Sequence, residues 1–403
     1  MTPAPEGADR HDALSPNAVL VRARDVVVRL GDADFVQILH GDKRVETTPN
    51  ALLVLHAFAH PRKVAEVLGA AATGPEHWIE LSSTVVQLAR VGILRAPGDE
   101  AAAPEGFAKP TIHVVMLDDE ARTGGYLAAL RARVQPDDIV IDIGTGTGVL
   151  AASAVRAGAA RVYAIESSAI ADAAACVFAT NDLGDRARLV RGRSTEIALP
   201  ERGNLLVTEI IGNDPLDERI LEVVADAKER LLVPGARVIP QVLDIFALLV
   251  DVPAPFLGRH VFTPERLAEW QTRYGLDFSS LASIRPASTQ PIAVETRELL
   301  EWSRVAPVVP LRTIDLEGSF ERTFEVRERV VLDHDVERLG VVLAFRATLA
   351  PNIAVSTLPD QVSHASSWRY GLWPALDRPR AARGDTITID YSYFRSKTSI
   401  VTT

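Results

Sequence analysis

The chain has 403 residues, a net charge of −10 and one cysteine, Cys176. That length exceeds what one compact core organises, so two or three domains are expected. The acid excess argues against a nucleic-acid-binding surface across the whole protein, and a lone cysteine excludes an intrachain disulfide or a cysteine-built metal cage. The polar start MTPAPEGADRHD lacks the basic and apolar stretches of a secretion signal. No apolar run reaches the roughly 20 residues that span a bilayer. A cytoplasmic setting is the expectation.

Residues 1–19 read as a disordered N-terminus. The stretch DVVVRLGDADFVQILHGD gives two strand-like runs around the turn signal Gly31-Asp32-Ala33-Asp34. Three helical stretches follow: ALLVLHAFA with Asn50 as its cap, RKVAEVLGAA after Pro61, and HWIELSSTVVQLARVG after Gly74-Pro75. Strands and then three short helices predict a winged-helix-like α+β domain over 20–95. Residues 1–95 carry 10 Lys/Arg against 11 Asp/Glu, and the last helix has a single Arg, so DNA binding is not expected. Residues 96–110, rich in Pro, Gly, Ala and acid, read as a linker.

From residue 137 strands and helices alternate: DDIVIDIG, VLAASAVRAG, RVYAIE, AIADAAACVFATND, ARLVRG, NLLVTEI and LDERILEVVADAKERLL. That alternation predicts a doubly wound α/β sheet over 111–240. After Pro240 the strand-like runs QVLDIFALLVDV, RTFEVRERVVL, LGVVLAFRATL and DTITIDYSYF dominate. They predict an all-β domain over 241–403, with a helical arm at about 260–284.

Asp142-Ile143-Gly144-Thr145-Gly146-Thr147-Gly148 joins the first strand of the α/β segment to a helix. Glycines at alternate positions let the backbone turn sharply and approach a ligand. The spacing G-x-G-x-G differs from the G-x-G-x-x-G of dinucleotide folds. Asp142, just ahead of the loop, would repel a pyrophosphate but suits an ammonium or sulfonium. Glu166 ends the next strand, 22 residues beyond Gly144, where an acid can accept from two ribose hydroxyls. Together these point to S-adenosyl-L-methionine as cofactor, with Asp142, Gly144, Gly146 and Glu166 in its site.

With these residues in hand, the chain resembles the protein arginine methyltransferases over about residues 111–403. His113 to Thr123, with Tyr126, is similar to the pre-core helix H-x-x-M-L-x-D-x-x-R-T-x-x-Y. In that helix the arginine, here Arg122, grips the cofactor carboxylate. Thr208-Glu209-Ile210-Ile211-Gly212 followed by Glu218 resembles the family's double-glutamate loop, with its nine-residue spacing. Trp270 with Tyr274-Gly275-Leu276-Asp277 is similar to the dimerisation arm, which implies a head-to-tail homodimer. Ser356-Thr357 with Pro359, and then Trp368, resembles the barrel segment beside the active site. The resemblance implies a nucleotide-fold core, a C-terminal β-barrel, an adenine contact at Glu196, and a substrate pocket bordered by Met116, His113 and Trp368.

Chemistry supports the two glutamates independently of the resemblance. An arginine side chain, with a pKa near ~13.8, arrives charged and with its lone pairs delocalised. Two carboxylates can bind that plane in a fork and aim one nitrogen at a methyl donor. Glu209 and Glu218 are therefore the candidate catalytic residues. The chain departs from the family in three places. APEGF, with Phe107, stands where the family has Y-F-x-x-Y; Ile210, Ile211 and Asn213 replace aromatic loop residues; and Ser366-Ser367-Trp368 replaces T-H-W, with His364 nearby. These changes leave open another peptide amine or amide, a small-molecule acceptor, or a cofactor-binding scaffold without catalysis.

Residues 20–95 resemble the RiPP recognition elements, small winged-helix domains that capture the leader of a ribosomally made precursor peptide. That resemblance implies a leader peptide added as a strand to a sheet edge and packed on the last helix.

Overall fold

The computed structural model describes residues 15, 17–23, 26–30, 35–40, 43–97 and 106–403. Residues 1–14 of the expected N-terminal tail, the turn Gly31–Asp34 and linker positions 98–105 lie outside the described residues. The chain divides into two compact units, Met1–Glu105 and Gly106–Thr403.

In the first unit, strands β1 (Val19–Arg22), β2 (Val27–Leu30), β3 (Val36–His40) and β4 (Lys43–Thr47) precede helix α1 (Ala51–Ala57). Strand β5 (Arg62–Lys63), helices α2 (Val64–Ala71) and α3 (Pro75–Arg90), and strand β6 (Leu94–Arg95) follow. β1 lies between β5 and β6, while β2, β3 and β4 form an antiparallel meander. α3 opens on Pro75, whose fixed φ suits a first helical position. Its Leu81, Val85 and Leu88 recur at helical spacing and pack with Ile38, Val45, Val54, Phe58 and Leu68. Two expectations change. KRVET, too polar to read as a strand, pairs with β3 as β4, and Arg62–Lys63, expected in a helix, pairs with β1. Asn50 occupies the N-cap of α1, yet its αR backbone leaves its side chain without a capping bond.

The second unit begins with α4 (Pro110–Asp118) and α5 (Glu120–Arg133). Asp119 separates them and caps α5, accepting from the Arg122 N–H at 3.0 Å. Then come β7 (Ile139–Ile143), α6 (Val149–Arg156), β8 (Arg161–Glu166), α7 (Ala171–Thr180) and β9 (Ala187–Arg191). β10 (Gly203–Thr208), α8 (Ile220–Arg230) and β11 (Leu232–Ile239) complete the core. The sheet runs β11-β10-β7-β8-β9, every neighbouring pair parallel. Buried on both faces, its strands are near-continuous apolar runs such as IVIDI. The winding reverses between β7 and β10, so the loops leaving those strands meet at a crevice where such sheets bind ligands. The segment LDERILEVV is helical only from Ile220, because Arg219 adopts a left-handed φ of 66°. LVPGARVI, unassigned from its sequence, is the edge strand β11, a position that tolerates Pro234.

The remaining elements are β12 (Val242–Asp251), α9 (Ala254–His260), α10 (Pro264–Tyr274), β13 (Ile292–Val294), α11 (Thr296–Leu299), β14 (Val309–Asp315), β15 (Phe324–Val331), β16 (Leu339–Ala350), β17 (Ile353–Ser356), β18 (Tyr370–Pro374), β19 (Thr386–Phe394) and β20 (Lys397–Thr402). One antiparallel sheet runs β13-β18-β16-β12-β14 with β17 on β16, and another β15-β19-β20. The helical arm comprises α9 and α10 as well as the expected stretch from 263. Core and β-sheets, expected as successive domains, share one hydrophobic core that joins Leu130, Val140 and Leu205 to Val355, Trp368 and Tyr391. α5 approaches β17 so closely that a Cβ on Gly125 would lie 2.8 Å from Val355 Cγ1. Among the described residues no helix is long and apolar enough to cross a membrane, and no group of three or more His, Cys, Asp or Glu is placed to hold a metal ion.

Candidate active site

The loop between β7 and α6 carries its alternating glycines in the left-handed region, at φ values of 76° for Gly144 and 55° for Gly146. A side chain at either position would be strained there. The loop N–H of Gly146 donates to Glu166 Oε2 at 3.0 Å, and Ser168 N donates to Oε1 at 2.8 Å. Asp142 is fully buried, and its Oδ2 accepts from Thr145 Oγ1 at 2.5 Å. Burial raises the Asp142 carboxyl to about 7, against the bond from Thr145. Its Oδ1, like Ser168 Oγ, is buried without a partner. A buried, unpaired carboxylate oxygen beside a glycine turn fits a cationic ligand group, which would restore its charged form.

Glu209 follows β10, and Glu218 lies before α8; both line one cavity of about 390 Å³. Arg122, Met116, Phe107, Ile211 and Trp368 complete much of its wall. Arg122 Nη2 pairs with Glu209 Oε2, and both side chains are 8% exposed. Glu209 Oε1 and Arg122 Nε remain buried and unpartnered. Burial pushes Glu218 up to about 8, reinforced by Asp217 and opposed by Arg122. Burial likewise draws the Arg122 guanidinium below its ordinary value, against the fields of Tyr126, Asp119 and Glu218. The cavity thus holds one carboxylate paired with a guanidinium, and a second carboxyl that burial shifts towards its protonated form.

Residues 366–369 close this arrangement from the β-sheet side. Ser367 donates through both its N–H (2.7 Å) and its hydroxyl (3.1 Å) to Asp119 Oδ2. Trp368 Nε1 donates to the Ile211 carbonyl at 2.8 Å, and its ring lies 5.3 Å from the Arg122 guanidinium carbon. Arg369 N donates to Asn213 Oδ1 at 2.7 Å. One short segment is thereby fastened to the pre-core helices and to the two-glutamate loop. His364 is exposed and makes no hydrogen bond among the described residues, so Ser367, not His364, faces Asp119.

The sequence candidates therefore separate into two groups. Asp142, Gly144, Gly146 and Glu166 gather at the β7–α6 loop, while Glu209, Glu218, Met116, Trp368 and Arg122 share the cavity. His113, expected in the substrate pocket, is absent from the cavity wall. Its Nε2 bonds the Phe107 carbonyl at 2.7 Å, and its ring reaches within 3.0 Å of where a Cβ on Gly146 would sit. α4 turns it onto the glycine loop. Glu196 lies exposed on the turn after β9. Asp119, Thr145 and Asn213 carry no site role in the sequence reading. Only Asp119 carried a signal, as the acid three residues before Arg122, a capping spacing.

The family model for ribosomal protein L11 methyltransferase (PrmA) matches residues 120–240, the α/β core. Protein arginine N-methyltransferase 1 of Chlamydomonas reinhardtii is 25% identical over 300 residues, covering 72% of this chain and 84% of the algal protein. The probable histone-arginine methyltransferase CARM1 of Oryza sativa subsp. indica is 34% identical over 173 residues, 41% of this chain and 32% of the rice protein. A solved PRMT1 enzyme–prozyme heterotetrameric complex from Trypanosoma brucei has a chain that superposes with a TM-score of 0.58 at 24% identity, covering 71% of this chain and 88% of that one. The chain is similar to protein arginine N-methyltransferases. Its likeness to the arginine methyltransferases reaches beyond the 120–240 core into the following β-sheets, so the fold is a class I methyltransferase core with a C-terminal β-barrel.

Proposed function

We propose that this protein is an S-adenosyl-L-methionine-dependent N-methyltransferase that methylates an arginine guanidinium of a peptide or protein. The observation that carries the reading is the pairing of Arg122 with Glu209, which leaves Glu209 Oε1 buried and free in the cavity that Glu218 also lines.

Asp142, the Gly144–Gly146 turn, Glu166 and Arg122 would hold the cofactor, with Glu196 the candidate adenine contact, and the bound cofactor would supply an electrophilic methyl group. The protein's residues do the rest. Arg122 pairs with Glu209 and fixes its plane. An entering guanidinium takes the free Glu209 oxygen, and its charge favours the ionised form of Glu218, whose proton leaves to solvent, so that two carboxylates clamp it in one orientation. Holding the acceptor nitrogen towards the methyl group supplies rate by positioning. After transfer the acceptor nitrogen carries one proton too many, and Glu218, raised by burial, takes it. Trp368 and Ile211 exclude water from the clamp, with the tryptophan fixed by the Ile211 carbonyl.

The N-terminal unit is read as the module that captures a precursor's leader. β4 has a strand neighbour on one side among the described residues, and Gln87 of α3 reaches the Glu46 carbonyl on β4 at 3.3 Å. A strand added there would run beside α3, which exposes Trp78 and Ile79. The arm, exposing Tyr274, Leu276 and Ile284, is read as a homodimer contact.

Mass spectrometry of arginine-containing peptides after incubation with the protein and S-adenosyl-L-methionine tests the central reading. One or two methyl groups on arginine are expected. Methyl groups confined to another residue type contradict it.

A further inference from the structure

A second cavity, of about 360 Å³, shares Arg122 and Trp368 with the acceptor cavity. It is bounded by the β16–β17 hairpin and by the segment 361–366. Three charged side chains line it: Asp119, Arg122 and Arg346. Asp119 already accepts from Arg122 N and from Ser367, and Arg122 is paired with Glu209. Asp119 keeps its negative charge with its oxygens occupied by those donors, and the charged side chain of the lining left without a bonding partner is Arg346.

The Arg346 side chain makes no ion pair or hydrogen bond among the described residues. Its cross-strand neighbour Asp244 accepts instead from Thr313 Oγ1 at 2.6 Å. Groups able to donate line the same cavity. Ser363 and Ser366 use their oxygens to accept from Ala365 N and Trp368 N, which leaves both hydroxyl protons available. The side-chain amides of Asn352 and Gln361 also line the cavity and bond nothing else described. Arg346, Asn352 and Gln361 are exposed at the cavity's rim, and a guanidinium with paired N–H donors sharing a cavity with hydroxyl and amide groups can receive a carboxylate.

We propose that this cavity binds a carboxylate of the acceptor peptide while the neighbouring arginine occupies the Glu209–Glu218 clamp. The proposal rests on the methyltransferase reading above. The carboxylate is an Asp or Glu side chain near the methylated arginine, or the peptide's own C-terminus. Selection then favours an acidic neighbour over a run of basic ones.

The test uses the full chain, S-adenosyl-L-methionine and one-arginine peptides that differ only by Glu, Gln or Lys at each flanking position, each with a free or an amidated C-terminus. A charge-assisted contact of this kind is worth about tenfold in kcat/KM, so the Glu peptide should exceed its Gln twin by about that factor. Loss of the preference on amidation alone instead identifies the C-terminal carboxylate as the group bound. With Arg346→Gln the ratio should fall to about one, and with Arg346→Glu the Lys peptide should lead, a reversal that misfolding does not produce. Equal rates for all twins with the wild-type protein, while arginine is still methylated, overturn the carboxylate site and leave the clamp standing. Absence of arginine methylation on every peptide overturns both.

Discussion

Arg122 and Glu209 form a buried ion pair that ties the pre-core helix to the loop after β10. Removing one partner strands the other charge away from water, which costs about 3–5 kcal/mol for a fully buried pair. Glu209→Gln should lower kcat by at least about 100-fold, because the clamp loses its permanent carboxylate. Binding of S-adenosylhomocysteine should change far less. Arg122→Ala should weaken both. Calorimetric titration of each variant, beside its turnover, separates these outcomes.

Glu218 gives the acceptor step a pH signature. Its folded value of about 8 lies above the ordinary carboxyl range, so it is largely protonated at neutral pH and must ionise to hold a cation. Acceptor binding then releases a proton, and kcat/KM for the peptide should rise with pH by up to roughly tenfold per unit before levelling above about 8. In Glu218→Gln that slope should vanish along with most activity. A pH profile of both proteins checks it.

Asp142 sets a similar dependence on the cofactor. With its carboxyl raised to about 7, cationic ligand binding favours the ionised form and weakens as pH falls below that value. Asp142→Asn should bind S-adenosyl-L-methionine less tightly at pH 8 and with little pH dependence. Titrations between pH 5.5 and about 8.5, a span chosen to bracket the shifted carboxyl, would show whether the two curves differ.

The β7–α6 loop and Glu166 could be read from sequence because strand, glycines and acid follow one another locally. The Arg122–Glu209 pair could not. Its members come from different elements, and Arg122 on its own reads as a ligand for the cofactor carboxylate. The direction of His113 is hidden for a related reason, since it depends on how α4 packs onto the glycine loop. β13, β17 and β18 are short, and β14 carries Pro310 and mixed polarity, so none shows a clear two-residue period. Arg346 left a trace: it is the lone charge within the otherwise buried run LGVVLAFRATLA.

Ser367 stands where the arginine methyltransferase pattern has histidine, and it holds Asp119 with two hydrogen bonds. Ser367→Ala keeps the backbone bond and should cost about 1 kcal/mol of stability, while Asp119→Ala loses both bonds and the α5 cap and should cost about 2–4 kcal/mol. Urea unfolding of the two variants ranks them. A larger loss from Ser367→Ala would mean that the hydroxyl, not the backbone, anchors the segment.

Gly125 permits the close approach of α5 to β17, so Gly125→Val should be destabilising by about 1–3 kcal/mol through overpacking against Val355. Pairing it with Val355→Ala should recover part of that loss, which thermal unfolding of the single and double variants measures.

A crystal structure with S-adenosylhomocysteine and an arginine peptide examines the clamp most directly. The guanidinium is expected between Glu209 and Glu218, with Arg122 still on the far oxygen of Glu209. A guanidinium seated elsewhere, with Glu218 turned to solvent, would contradict it.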